Sequence, residues 1–338
     1  MIKTKKENTL STIPESLREL FTKTNYEYMS YLKQHKKELF EISEKDKLRD
    51  RLNFVRLRAM ASCKDLNIYS PELLKFTYFF DDIEDFTEAY NTKKGNMTKV
   101  FDLDIDTLVK CTNVFNFVAS YSYAFESFFK KQMLYPINDY FNINDFPLKK
   151  IIDTYKQYFD NLSGKRVLDP CAGWGNRAIS ACLSDASEYV CCDPSKNSYT
   201  VVNNRLEHYK GLYDTKCTFI NKPYEDVTDE ELGGEFDVAI CCPPYFDTEK
   251  YNGDDTSTNR YKQYDNWFAN WYCPYIIDRT VERLKNGGKY FLTVGGLEGK
   301  LLQGTIEYLE QHCYNYEIIK KVKTGGVENK EATIVITK

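Results

Sequence analysis

The run Phe236-Asp-Val-Ala-Ile-Cys-Cys-Pro-Pro-Tyr-Phe246 places two prolines and an aromatic ring directly after an apolar stretch of strand character. Two prolines cannot extend a central strand, so they fix a stiff turn at its carboxyl end and aim the Pro243 carbonyl in a set direction. Ligand crevices lie at such ends in sheets built from βαβ units. An amino group conjugated to a base ring is a poor nucleophile, which improves when acceptors hold its hydrogens and its lone pair faces an electrophile. The Pro243 carbonyl supplies one acceptor, and Tyr245 supplies a face on which a flat base can stack. As a bare turn Pro-Pro-Tyr is common and structural, so its meaning depends on what surrounds it.

About 70 residues upstream lies Val167-Leu-Asp-Pro-Cys-Ala-Gly-Trp-Gly-Asn-Arg177, an apolar strand, an acidic residue, a Gly-x-Gly turn and then a helical pattern. Gly173 and Gly175 lack side chains, so a ligand can approach the backbone beneath the first helix. A second strand ends in Cys192-Asp193-Pro194, which sets a carboxylate 18 residues after Gly175. At the crevice of a doubly wound sheet that carboxylate can accept both ribose hydroxyls of a nucleoside. Its structural alternative is to cap the helix that starts near Ser195.

Two further segments offer contact surfaces. The long polar and aromatic loop from Asp247 to Tyr264 is a lid or a surface tip, and Tyr251, Arg260, Tyr261 and Lys262 within it could reach a substrate strand by stacking and phosphate contact. Lys45 to Arg58 reads as a basic amphipathic helix with Lys45, Arg49 and Arg56 on an exposed side, either a strand-binding surface or an ordinary solvated face.

The elements that must position these residues fall into two textures. From about Pro14 to Phe141 apolar residues recur at three and four, as in Leu17, Leu20 and Phe21, so residues 1–145 read as a helical N-terminal domain for target recognition or partner contact. Asn91 to Asn96 reads as a solvated loop within it. Residues 146–338 alternate strands and helices, the signature of an α/β, Rossmann-like sheet. Seven strands are expected, at Arg166–Asp169, Tyr189–Asp193, Cys217–Asn221, Asp237–Cys241, Lys289–Val294, Tyr316–Lys323 and Ala332–Thr337. The last two have no room for a helix between them and should pair as an antiparallel hairpin.

Composition supports a folded chain without membrane spans. Of its 338 residues 42% are hydrophobic and 28% charged, and no run is apolar enough to cross a bilayer. The start lacks a secretory stretch, which implies a cytoplasmic or equivalent location, and the many Tyr, Lys and Asn residues hint at a viral, phage or plasmid gene. Eleven cysteines without export signal or C-x-x-C pair read as reduced thiols. With only His35, His208 and His312 available, no metal site is expected. Net charge is -4, yet residues 1–64 carry 15 basic against 9 acidic groups, a local attraction for phosphates.

Taken as a pair, the Asp-Pro-Cys-Ala-Gly-Trp-Gly and Pro-Pro-Tyr-Phe motifs resemble those of the amino-methyltransferases that modify adenine-N6 or cytosine-N4 in nucleic acid. In that family Asp, Asn or Ser precedes Pro-Pro-Tyr or Pro-Pro-Phe. The resemblance covers about residues 145 to 338 and implies S-adenosylmethionine as methyl donor and nucleic acid as partner. It would put Asp169, Pro170, Cys171, Gly173 and Gly175 around the cofactor's methionine part and Asp193 on its ribose. Pro223, Tyr224 and Glu225 would flank its adenine, and Cys242, Pro243, Pro244, Tyr245 and Phe246 would form the target-base pocket. One departure is Cys242, which stands where the family has Asp, Asn or Ser, and sulfur is a weak acceptor. Slow transfer or an unusual acceptor, a silent binding subunit, and a Cys242 nucleophile acting on a pyrimidine ring all remain open. So does methylation of a small molecule or protein residue, because fold alone does not set function.

Overall fold

The computed structural model describes residues 42–63, 73–74, 79, 90–92, 95–96, 146–248, 250–251, 255–324 and 327–338. The chain divides into two compact units, Met1–Glu41 with Lys94–Asn142, and Ile42–Lys93 with Ile143–Lys338. Almost all of the first unit, and with it most of the expected helical domain, lies outside the described residues.

The second unit is built on seven strands: β1 Arg166–Asp169, β2 Glu188–Cys192, β3 Lys216–Ile220, β4 Phe236–Cys241, β5 Leu284–Val294, β6 Asn315–Thr324 and β7 Val327–Thr337. Their order across the sheet is β3-β2-β1-β4-β5-β7-β6. The first five run parallel, and β7 is antiparallel to both β5 and β6. The architecture is therefore α/β and Rossmann-like, with strand order reversing between β1 and β4, where a doubly wound sheet opens its ligand crevice.

Side chains alternate across the sheet and build two cores. Val167, Tyr189, Cys191, Val238, Ile240, Phe291 and Val335 face one layer, and Leu168, Val190, Cys192, Ala239, Cys241, Leu292 and Ile334 face the other. Both faces are buried, which explains why β1, β2 and β4 read as continuous apolar runs. The first layer is covered by α1 Glu44–Ser62, α2 Leu148–Tyr158, α3 Asn176–Leu183 and α4 Lys196–His208. The second is covered by α5 and by α6 Lys300–Gln311. Helix α5 begins as Tyr264–Trp267, widens into a π-helical stretch Phe268–Arg279 and closes with Thr280–Glu282. Pro274 lies inside the wide turns, where it supplies no backbone donor.

Three expectations are corrected. Helix α1, expected in a separate N-terminal domain, packs with the sheet-bearing unit: Phe54, Leu57 and Ala61 are buried in its core. Buried Asp50 accepts from Tyr209 Oη (2.7 Å) and the Leu74 amide (2.6 Å) and pairs with His208 Nε2 (2.9 Å). Arg51 donates to the His208 and Lys210 carbonyls, and Arg58 to the Leu212 carbonyl and Asp185. Two of the helix's basic groups thus serve the carboxyl end of α4 and the turn after it, where cations complement the helix dipole. Lys45, Arg49 and Arg56 do point outward.

Second, Asn91 and Thr92, expected in the loop Asn91–Asn96, belong with Tyr90 to a short strand that pairs with Lys250–Tyr251 from the segment after Pro-Pro-Tyr. Third, β5 starts at Leu284 rather than near Lys289. A bulge between its two registers with β4 accommodates Lys285-Asn-Gly-Gly, a sequence that reads as a turn. No described helix is long and apolar enough to cross a membrane.

Candidate active site

The carboxyl end of β1 delivers Asp169 into a fully buried position. One carboxylate oxygen takes Arg177 Nε at 2.7 Å together with the Tyr189 hydroxyl, and the other takes the Cys171 amide at 3.1 Å. Arg177 also donates to the Cys171 carbonyl. A buried charge left without a partner is severely costly, so this closed set holds the turn in one shape. Asp169 accordingly faces the protein, not the crevice, and its part is to position the loop.

The two glycines divide their duties. Gly175 caps α3 with φ 97°, and a Cβ there would sit 3.0 Å from Val202 Cγ2, so this glycine lets α3 and α4 pack closely. Gly173, with φ 56°, is half-exposed, and a Cβ there would meet only Arg177 Nη2 at 3.6 Å. Gly173 is thus the glycine that leaves room for a ligand. Pro170 is buried, and Cys171 is half-buried with its thiol pushed up, first by hydrogen bonding to Cys241 and then by burial. Arg205 fastens the loop from beneath, donating to the Trp174 carbonyl (2.5 Å) and to Asn176 Oδ1 (2.6 Å).

Asp193, at the end of β2, accepts the Gly173 amide on one oxygen and the Ser195 amide on the other, both at 3.0 Å. It stays half-exposed. Desolvation pushes its carboxyl up from 3.8 to about 6, against the opposing pull of the Ser195 and Gly173 amides. The cap of α4 is Ser195, whose hydroxyl accepts from the Ser198 amide, so Asp193 is not spent on capping the helix. After β3, Asn221 donates to the Asp193 and Ser195 carbonyls and ties that strand end to the same loop.

Beyond Asn221 the structure redistributes the expected adenine-flanking residues. Pro223 is buried. Tyr224 is 2% exposed and turned inward, its ring under the Arg279 guanidinium. Glu225 accepts from Trp271 Nε1 at 2.8 Å and faces Arg260 at 3.4 Å. Arg260, expected at a substrate phosphate, instead pairs with Asp226 (2.6 Å) and Asp255 (3.0 Å). Its charge is already neutralised, so it clamps the segment after β4 to the turn after β3.

At the end of β4 the Cys242 thiol lies 3.2 Å from the Tyr245 hydroxyl. Burial pushes the thiol up to about 12, and the nearby Arg177 charge and the Tyr245 contact only partly offset it. No described histidine lies against it, so Cys242 is a neutral thiol at neutral pH and not an activated nucleophile. The Tyr245 ring lies against Gly295 and Gly296 after β5. A Cβ on Gly296 would come within 2.8 Å of Tyr245 Cβ, and one on Gly295 within 3.1 Å of Cε2. Two glycines directly after an apolar strand at a crevice end are the sequence signal of this close approach.

Phe246, at φ 55°, packs its ring against both Tyr264 and Trp267, each 5.6 Å away and themselves 6.2 Å apart, and so anchors the turn to α5. Tyr251 is drawn into the strand pair with Tyr90. Tyr261 is half-buried against the second core, and Lys262 is exposed. Of the expected substrate contacts other than the ion-paired Arg260, Lys262 is therefore the exposed one, and Tyr245, Phe246, Tyr251 and Tyr261 are each half-buried.

No family model and no curated protein matches the chain. Among solved structures it is similar to an rRNA methylase from Streptococcus thermophilus, with 14% identity over 58% of this chain and 99% of that one, TM-score 0.41. It is also similar to a SAM-dependent O-methyltransferase from Thermotoga maritima (15%, 60% and 69%, TM-score 0.40). A third is a precorrin-6y C5,15-methyltransferase from Geobacter metallireducens (15%, 52% and 80%, TM-score 0.34).

Proposed function

We propose that this chain is an S-adenosylmethionine-dependent methyltransferase that modifies the exocyclic amino group of a base, adenine in preference to cytosine, in DNA or RNA. The observation that carries the reading is adjacency. The Gly173 turn with Asp193 and the Cys242-Pro243-Pro244-Tyr245 turn stand at the carboxyl ends of the neighbouring strands β1, β2 and β4. The residues fit the donor. Gly173 leaves the turn open, and the half-exposed Asp193 carboxylate retains acceptor positions for two ribose hydroxyls. S-adenosylmethionine supplies an electrophilic methyl group, and the chain's own residues orient the acceptor. The Pro243 carbonyl takes one amino hydrogen while the Tyr245 ring stacks on the base. A base in duplex must first be flipped out, at a cost of a few kcal/mol. The outward Lys45, Arg49 and Arg56 of α1 are the proposed phosphate contacts.

The test is incubation of the protein with methyl-labelled S-adenosylmethionine and a panel of duplex DNA, single-stranded DNA and RNA, followed by nucleoside analysis. A labelled amino-methyl base confirms the reading. Donor binding without transfer to any of them overturns it in favour of a silent binding subunit or an acceptor outside nucleic acid. The silent reading draws support from one observation, the Cys242 thiol already engaged with the Tyr245 hydroxyl at 3.2 Å.

A further inference from the structure

The weak point of the pocket is Cys242, a neutral thiol where an oxygen acceptor is needed. Topology brings a carboxylate to the same place from the far end of the chain. Because β7 runs antiparallel to β5 with Ala332 opposite Val294, the next residue, Glu331, emerges at the carboxyl end of β5 beside Gly295. The point where a Cβ on Gly295 would sit is 3.1 Å from both Glu331 Cγ and Tyr245 Cε2. The Glu331 side chain and the Tyr245 ring are therefore near neighbours across that glycine. Glu331 shares strand parity with Thr333 and Val335, on the sheet face that also holds Ile240, two residues before Cys242. Its carboxylate is steered by Lys150 of α2, whose Nζ lies 2.8 Å from Oε1 and 4.5 Å from the centre of the Phe146 ring. Glu331 is the acidic group whose charge acts on both the Cys242 thiol and the Tyr245 phenol, raising each.

We infer that Glu331 is a catalytic residue of this pocket, supplying from β7 the acceptor that Cys242 cannot. The inference rests on the amino-methylation reading above. In the reaction the amino lone pair forms the new nitrogen–carbon bond while the methyl–sulfur bond breaks, its electron pair leaving on sulfur. The surplus amino proton passes to the Glu331 carboxylate and from there to water, so charge and atoms balance. The Pro243 carbonyl and Glu331 then hold the two amino hydrogens, with Tyr245 beneath the ring. Gly295 keeps the path between Glu331 and Tyr245 free of a side chain.

The test compares Glu331→Gln with Lys150→Met in single-turnover transfer from S-adenosylmethionine to an adenine-containing single-stranded oligonucleotide. Both variants break the ion pair, but only the first removes the proton acceptor. Glu331→Gln should slow transfer about 100-fold, in the range of a lost acid–base group, and Lys150→Met only a few-fold. Cys242→Asn placed on Glu331→Gln should recover part of the loss. A second readout needs no donor. The unaltered protein should bind an oligonucleotide carrying adenine more tightly than one carrying purine, which lacks the amino group, and Glu331→Ala, which leaves only the Pro243 carbonyl as acceptor, should weaken that preference. Equal losses in the two single variants, or an unchanged preference, overturn the role of Glu331 while leaving the methylation reading intact. No transfer by the unaltered chain to any nucleic acid overturns both.

Discussion

The two ends of the crevice are built on opposite principles. At the β1–β2 end the polar groups are tied to the protein itself: Asp169 to Arg177, Tyr189 and the Cys171 amide, and Asp193 to the Gly173 and Ser195 amides. At the β4–β5 end the Cys242 thiol and the Tyr245 phenol lie 3.2 Å apart, the Tyr245 ring packs on Gly295 and Gly296, and Glu331, paired with Lys150, stands across Gly295. Buried, mutually satisfied charges rigidify a site, because breaking one contact exposes the full desolvation cost of its partner. A neutral thiol and phenol carry no such charge penalty and can part when a ligand enters. The first end is set before any ligand arrives, and the second is shaped to respond to one.

That contrast can be broken most severely at Arg177. Arg177→Met leaves the Asp169 charge buried and unpaired, and should cost about 3–5 kcal/mol of folding stability, read by denaturant unfolding. A loss under about 1 kcal/mol would show that the β1–β2 end is not held as described.

Tyr245→Ala should act in the opposite manner. It should leave stability and donor affinity nearly unchanged, yet lower turnover on the order of 100-fold through loss of the proposed stacking on the base. Parallel loss of donor affinity by calorimetry would erase the distinction between the two ends.

Asp193 sharpens the comparison through pH. Its folded carboxyl titrates near 6 and its unfolded one near 3.8. The folded chain therefore holds the proton more tightly, and this group's contribution to stability, present below 3.8, is lost as pH rises through about 6. Asp193→Asn should remove that slope, seen as the difference in unfolding free energy between variant and parent from pH 4 to 7. Donor binding by the parent should strengthen over the same interval, as the carboxylate proposed to accept the ribose hydroxyls ionises.

Arg260→Ala should have a small effect on stability, about 0.2–1 kcal/mol, because its partners Asp226 and Asp255 are exposed. Smaller still, Lys45→Gln or Arg56→Gln should lower the salt dependence of nucleic-acid binding by about one unit of slope for each phosphate contact removed, without altering the transfer step.

The chain's local patterns determined a great deal. Short β-rich, apolar runs located all seven strands of the sheet to within a few residues, apart from the starts of β5 and β7, each five residues earlier than expected, and the helix-free connection between the last two dictated their hairpin. The Gly-x-Gly turn and the acidic residue after β2 marked one end of the crevice, and Pro-Pro-Tyr marked the other, because backbone restrictions of glycine and proline are written residue by residue. What only the tertiary structure decided were the partners. Arg177 and Tyr189 reach Asp169 from a helix and a neighbouring strand, Arg260 is captured by carboxylates from another loop, and Arg51 and Arg58 of α1 turn inward onto α4 and the turn that follows it. Glu331 arrives beside Tyr245 only because β7 reverses direction against β5. A sequence records the charge and the shape of each side chain, but which opposite charge stands within 3 Å depends on strand order and helix docking, and those are settled by packing over the whole sheet.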